Sequence, residues 1–410
     1  MIDKVFCNVP WKEVHINADG TYHTCGAQPN KIYGTPAAAK HNVHNMTIQQ
    51  WINSEHQQSA RDNKLAGTTE PLCAMCYHED AMGSSSKRVK ENHKDGIDPV
   101  NFYKTFDQSK YQQVAPRINS FHISLGNECN LACRMCTPMA SSKIAVQEIK
   151  AGTFRGAARM NWTEDQQAWD HVTDYICGSK DLEFVHLIGG EPLLNPRFEQ
   201  LIDRLLLAGK NNIYLGFTTN GTVFNQSLMQ KLNAFRHVDV GVSIECTGEL
   251  NDLIRQGAST QTVLDNIDLY LKHRKQGHVY VTVRAVPSAL SVHTLDDLYR
   301  WCVSRQVDVM TNMLVRPAYQ QIQHLPQDIK KRLIEQYSKW EHSSPAPADS
   351  NPRDPTWFKQ HIDNEIKAII KALELPGDPV LTQELYEKLS SWQWLNQPQI
   401  TNYFTTSIKA

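Results

Sequence analysis

At 410 residues and 40% hydrophobic content, the chain is long enough for about two or three domains and at least one sizeable core, which excludes a disordered or simple fibrous protein. Its 42 Lys and Arg against 43 Asp and Glu leave a formal net charge of -1, so no overall charge excess draws it to nucleic acid or to an anionic membrane. No apolar run approaches the roughly 18 residues of a membrane span, and MIDKVFCNVPWKEVH lacks the basic-then-apolar pattern of an export signal, so a soluble, cytoplasmic chain is expected. Seven of the 10 cysteines cluster at metal-ligand spacings, and in that compartment they read as ligands and not as disulfides.

Residues 1–95 hold Cys7, Cys25, Cys73 and Cys76 among turn-forming residues, and read as a small metal-stapled unit. Lys87 to Lys94 (KRVKENHK), continuing polar to Gln113, reads equally as a link or as a solvated helix, and 96–117 is taken as the linker. Over 118–326 apolar runs alternate with helical patterns: INSFHISL (118–125), LEFVHLI (182–188), IYLGFTT (213–219), VDVGVSI (238–244), VYVTVRAV (279–286) and VDVMTNMLV (307–315), with helices such as RFEQLIDRLLLAG (197–209) and TLDDLYRWCVS (294–304) between them. That order predicts an α/β fold, an open or partial (β/α)6 barrel of parallel strands with functional groups at the strands' carboxyl ends. Residues 327–410 read as a helical carboxyl-terminal region, IKKRLIEQYSKW and HIDNEIKAIIKALE, interrupted by SSPAPADSNPRDP (343–355).

After the first of those strands, CNLACRMC places Cys129, Cys133 and Cys136 at C-x3-C-x2-C. Three thiolates can hold three irons of one [4Fe–4S] cluster and leave the fourth open. A structural zinc site would need a fourth ligand, for which His122 is the nearest candidate, though its strand position argues for packing. The spacing resembles the signature of radical S-adenosylmethionine (SAM) enzymes, and the likeness continues along the chain. Gly189-Gly190-Glu191-Pro192 looks like the family's GGEP motif, which implies that its backbone and carboxylate receive the SAM amino group. Thr218-Thr219-Asn220-Gly221 is similar to the turn near the SAM methionyl and ribose groups. Ser243-Ile244-Glu245 matches the S-x-[D/E] position that bonds ribose hydroxyls, with strand alternation setting Ser243 and Glu245 on one face. GELNDLIRQGA (248–258) resembles the segment ending in I-R-x-G, making Arg255 a candidate for the SAM carboxylate or the substrate, or a surface helix residue. Val286 and Val315 are candidates for adenine packing.

In the amino-terminal zone Cys7 and Cys25 stand in C-x12-G-x4-C and Cys73 and Cys76 in C-x2-C, four thiolates that suffice for a complete cluster or a structural zinc. The pattern resembles the auxiliary-cluster modules called SPASM and twitch. Met82, where a longer module would carry a further cysteine, implies the single-cluster twitch condition, and the module precedes the barrel where it usually follows. Glu79, Ser86 and Arg88 fall where related modules carry acidic, Ser and Arg residues, or are exposed helix residues. Cys177, Cys246 and Cys302 read as packed thiols, Cys246 with the alternative of a hydrogen-atom donor.

The resemblance implies an enzyme in which a reduced [4Fe–4S] cluster cleaves SAM to a 5′-deoxyadenosyl radical that abstracts a substrate hydrogen atom. The implied substrate is a peptide or protein side chain, or alternatively a small metabolite oxidised with an auxiliary iron–sulfur cluster, expected to be [4Fe–4S], taking the electron. It also implies a reducing partner such as flavodoxin or ferredoxin. A non-catalytic iron–sulfur electron carrier is the rival from another class. No residue is singled out as the catalytic acid, base or radical carrier.

Overall fold

The computed structural model describes residues 2–27, 40–81, 86–112, 115–274, 278–341, 355–393, 400 and 403–404, so Met82 and residues 343–354 of the Pro-rich stretch lie outside it. Two strands the sequence pattern did not announce, β1 (Glu13–Ile16) and β2 (Tyr22–His23), precede the six that it did. These are β3 (Ser120–Ser124), β4 (Phe184–Ile188), β5 (Tyr214–Thr219), β6 (His237–Ser243), β7 (Val279–Ala285) and β8 (Asp308–Thr311). The principal helices are α1 (Glu55–Ala66), α2 (Ala74–Ala81), α3 (Lys87–Lys94), α4 (Ser142–Lys150), α5 (Gln166–Gly178) and α6 (Pro196–Leu207). They continue with α7 (Gln226–Leu232), α8 (Thr260–Arg274), α9 (Leu295–Arg305), α10 (Gln327–Ser338), α11 (Pro355–Glu374) and α12 (Pro379–Ser391). The expected α/β order of six strands, each followed by helix, is present from β3 onward. No described helix is long and apolar enough to cross a membrane.

The chain packs as two compact units, one of residues 1–128, 149–216 and 234–236, the other of residues 129–148, 217–233 and 237–410. In the first, β1 pairs antiparallel with β2 and parallel with β3, which pairs parallel with β4. Phe121, Ile123, Val185 and Leu187 are fully buried on one face. The α6 helix adds Phe198, Leu201, Ile202 and Leu205 to that core, an i, i+3, i+4, i+7 pattern that makes one apolar stripe. Asp165 and Asn195 cap α5 and α6 with their side chains.

The polar segment Lys87–Lys94 is a helix with Lys90, His93 and Lys94 exposed on one face and Arg88 and Asn92 buried on the other. Arg88 is buried, donating to the carbonyls of Asp3 and Phe6 and pairing with Asp80, while Asn92 donates to Phe6 O and accepts from Asn8 N. Ser86, fully buried, caps its amino end.

In the second unit β6, β7 and β8 pair parallel in that order, with Val238, Val240, Val242, Val281, Val283 and Val309 buried. The carboxyl-terminal helices belong to this unit, where α10 and α11 pack on each other and α12 packs on the turn at Ala318–Gln320.

Candidate SAM and metal sites

In the second unit the three-cysteine loop is held by neighbouring backbone: Ala132 N donates to Gln256 O (2.9 Å), Arg134 N to Ile254 O (2.8 Å), and the buried Gln320 side chain to Arg134 O (2.9 Å). Ser141 Oγ fixes Leu131 O at 2.7 Å. Donors already face the sulfurs. Leu131 N lies 3.4 Å and Asn220 Nδ2 3.8 Å from Cys129 Sγ, and Arg255 Nη1 lies 3.9 Å from Cys133 Sγ. Burial pushes the Cys136 thiol up to about 12, with the charges of Cys133 and Cys129 adding to it, which places the three sulfurs within electrostatic reach of one another. Burial also raises Cys133, and Arg255 opposes it. Thiols held this way release protons when a metal group binds.

Around the loop the predicted SAM residues of this unit take distinct places. Asn220 is buried and bonded to Asn130 Oδ1 at 2.8 Å, and Asn130 in turn donates to Thr222 Oγ1 at 2.8 Å. Thr219 is buried and accepts from Gly221 N. Ser243, the last residue of β6, is half-buried, whereas Glu245 lies past the strand end and is fully buried. Both oxygens of Glu245 are engaged, Oε1 by Arg255 (2.6 and 3.1 Å) and Oε2 by Val286 N (2.6 Å), and its own backbone N donates to Asn251 Oδ1. Arg255 is a buried partner of Glu245 and Cys133, not a surface residue. Val286 is half-buried and Val315 is 49% exposed. Cys246 is buried with its thiol pushed up to about 11 by burial, Cys302 is buried, and Cys177 is half-buried. Asn130, Asn251 and the Val286 amide are the positioning groups that sequence reasoning missed; the Asn inside CNLAC was the available signal for the first.

In the first unit, the Gly-Gly pair exists because backbone approaches backbone. A Cβ on Gly190 would lie 2.1 Å from Glu128 O and one on Gly189 2.9 Å from Gly126 O. Gly190 N donates to Gly126 O and Glu191 N to Glu128 O, both at 2.8 Å, and the buried Glu191 carboxylate accepts from Leu193 N.

The four amino-terminal cysteines form a closed set of neighbours in this unit. Cys7 senses Cys25 and Cys73, Cys25 senses Cys76, and Cys76 senses Cys73. Two of the sulfurs have a donor at hydrogen-bond distance, Ala27 N for Cys25 (3.3 Å) and Lys64 Nζ for Cys73 (3.1 Å), and the backbone at Val9 and at Arg88 favours the Cys7 and Cys76 thiolates. Burial raises all four thiols, Cys25 to about 12. Among the described residues no three His, Cys, Asp or Glu are drawn together as a ready single-ion site. His122 lies 3.3 Å from Glu13 on the sheet face. Glu79 is half-buried.

The sequence profile of the Radical SAM superfamily matches residues 123–302, from within β3 to within α9. Residues 123–302 are a radical SAM domain. Among curated relatives, the mycofactocin maturase MftC of Mycobacterium ulcerans (strain Agy99) is 35% identical over 132 residues, 32% of this chain and 30% of that protein. The GTP 3′,8-cyclase of Synechocystis sp. (strain ATCC 27184 / PCC 6803 / Kazusa) is 26% identical over 154 residues, 37% of this chain and 42% of that one. A solved structure of anSMEcpe with bound AdoMet and a Cp18Cys peptide covers 54% of this chain and 59% of its own, at 18% identity and a TM-score of 0.40. The chain thus spans less than half the length of these two curated relatives. The radical SAM domain implies a [4Fe–4S] cluster and SAM as its cofactors. Three neighbouring thiols, with hydrogen-bond donors on Cys129 and Cys133, fit the cluster.

Proposed function

We propose that the protein is a radical SAM enzyme that modifies a peptide or protein side chain. The observation that carries the reading is the Cys129, Cys133 and Cys136 loop, three mutually neighbouring thiols inside the matched domain. When bound, a [4Fe–4S] cluster with an open iron supplies the electron that divides SAM into methionine and a 5′-deoxyadenosyl radical. The chain's own residues bind and orient. The Gly189–Glu191 backbone and the Glu191 carboxylate serve the SAM amino group, and Ser243 a ribose hydroxyl. Thr219 and Asn220 shape the adjoining turn, and Val286 and Val315 serve the adenine. Glu245 holds Arg255 against Cys133 as a positioning residue. The catalytic region is 118–326, preceded by the four-thiol unit at 1–95 and the 96–117 segment and followed by 327–410.

The peptide reading draws support from the maturase relative. The GTP 3′,8-cyclase relative favours a second reading, in which a small molecule is the substrate. In either case a flavodoxin- or ferredoxin-like reductant would serve, in the cytoplasm, and Cys7, Cys25, Cys73 and Cys76 would hold an auxiliary iron–sulfur cluster. Anaerobically reconstituted protein is expected to release 5′-deoxyadenosine from SAM under dithionite, and the Cys129/Cys133/Cys136→Ala variant to release none. Release retained in that variant would refute the assignment, and no release from the iron-loaded wild type would favour an electron carrier. Glu191→Ala and Ser243→Ala should keep their iron but bind SAM about tenfold or more weakly, the scale of a lost charge-assisted hydrogen bond. Wild-type affinity in both variants would remove their assigned role.

A further inference from the structure

One lysine in the first unit stands between a thiol and a carboxylate. Lys64, on α1, is buried, with its side chain 2% exposed, yet its ammonium is not matched by a carboxylate alone. Nζ lies 3.1 Å from Cys73 Sγ, 3.0 Å from Tyr77 Oη and 3.4 Å from Glu70 Oε2. Glu70 Oε2 is itself 3.7 Å from the same sulfur, and its side chain is 16% exposed. In the metal-free thiol the S–H can donate to that carboxylate. A metal-bound thiolate has no proton to donate, so carboxylate and sulfur then repel, and the lysine ammonium in contact with both offsets that repulsion. A second lysine repeats the theme, since Lys87 pairs with Glu13 at 2.6 Å and its charge favours the Cys25 thiolate.

Net charge and hydrogen bonds to sulfur are among the levers that set an iron–sulfur potential. A cation against a ligand sulfur stabilises the reduced, more negative state, and a carboxylate at similar range opposes it. We propose that Lys64 and Glu70 set, in opposite directions, the reduction potential of the metal group held by Cys7, Cys25, Cys73 and Cys76, with Lys64 making that group the more readily reduced. The inference rests on the reading of these four thiols as an auxiliary iron–sulfur site. The redox change is one electron onto the metal group, and no side chain changes oxidation state.

The test uses the full-length reconstituted chain carrying Cys129/Cys133/Cys136→Ala, so that only the four-thiol site holds iron. Iron per chain is measured first, followed by an anaerobic titration with dithionite and mediators, read by electron paramagnetic resonance. Lys64→Met is expected to keep its iron and to lower the midpoint by at least about 59 mV, a tenfold change in the oxidised-to-reduced ratio at fixed potential. Glu70→Gln is expected to raise the midpoint, and Lys64→Arg to bring it back toward wild type. Midpoints unchanged in both Lys64→Met and Glu70→Gln, or shifted in the same direction, would overturn the proposal and leave the pair structural. Should Lys64→Met fail to load iron, the opposite signs of Glu70→Gln and Lys87→Met decide. Iron absent from the parent variant would instead overturn the four-thiol reading itself.

Discussion

Glu245 and Arg255 form a buried pair, with neither side chain more than 9% exposed, so the cost of disturbing it falls on whichever charge is left behind. Removing one partner of such a pair typically costs about 3–5 kcal/mol, because the survivor stays buried without compensation. Arg255→Gln and Glu245→Gln are both expected to lower the stability of the metal-free protein by that order, read as the midpoint of urea unfolding. Arg255→Lys should recover only part of it, since lysine cannot make the two contacts to Oε1 that the guanidinium makes at 2.6 and 3.1 Å. Wild-type midpoints in the two Gln variants would show that the pair contributes nothing. The spacing S-x-E was plain in the sequence, but not the partner of the carboxylate. The strand alternation used to place Ser243 and Glu245 together ends with β6 at Ser243, and beyond it the backbone no longer fixes which way a side chain faces.

Among elements, β3 to β8 were legible because each is an apolar run bounded by turn residues, whereas β1 was not. Its four residues, Glu13-Val14-His15-Ile16, do alternate polar and apolar, but the run is only four long, follows directly on the helical turn Val9–Lys12, and buries its glutamate and histidine with the rest, so neither length nor apolar content marks it as a strand. The consequence of that missed strand is a row of histidines at one register position: His23 opposite His15, His15 opposite His122, and His122 opposite His186. Successive ring centroids are 5.9, 6.4 and 5.7 Å apart. Gly216 flanks the row, and a Cβ there would lie 2.5 Å from His186 Nδ1. Burial, with the charges of His23 and His122 adding to it, brings His15 down from 6.5 to about 3. The folded state therefore holds His15 neutral while the unfolded chain takes up a proton below about 6.5, so its contribution is fully present above that pH and declines as pH falls toward 3. Between pH 7 and pH 5 this one group should account for a loss of roughly 2 kcal/mol. His15→Gln, which can still bond Asn17, is expected to show a shallower decline than wild type over that interval in denaturant titrations. Parallel declines would mean that His15 titrates freely in the folded protein.

Across the whole chain, the stretch least legible from sequence was 327–410, which carries no motif and whose role is visible only in its contacts. The Arg134 guanidinium, between Cys133 and Cys136, lies 4.8 Å from the ring centre of Trp392, just past α12. The same helix packs on the turn whose Gln320 holds Arg134 O. Further back, Thr382 Oγ1 donates to His324 O at 2.6 Å and Asp378 N to His324 Nδ1 at 2.9 Å, tying the start of α12 to the segment after that turn. The carboxyl-terminal helices thus brace the cysteine loop by two routes, one through backbone and one through an arginine stacked on an indole. A cation–π contact of this kind is worth about 1 kcal/mol, or about fivefold in an equilibrium. Trp392→Ala should therefore speed the loss of iron from the three-cysteine site to a chelator severalfold, while Trp392→Phe keeps most of the protection. The measurement is made on protein carrying Cys73→Ala and Cys76→Ala, so that the iron counted comes from one site. If Trp392→Ala released iron at the parent rate, the bracing would rest on Gln320 and the backbone alone, and Gln320→Ala should then be the variant that loses it.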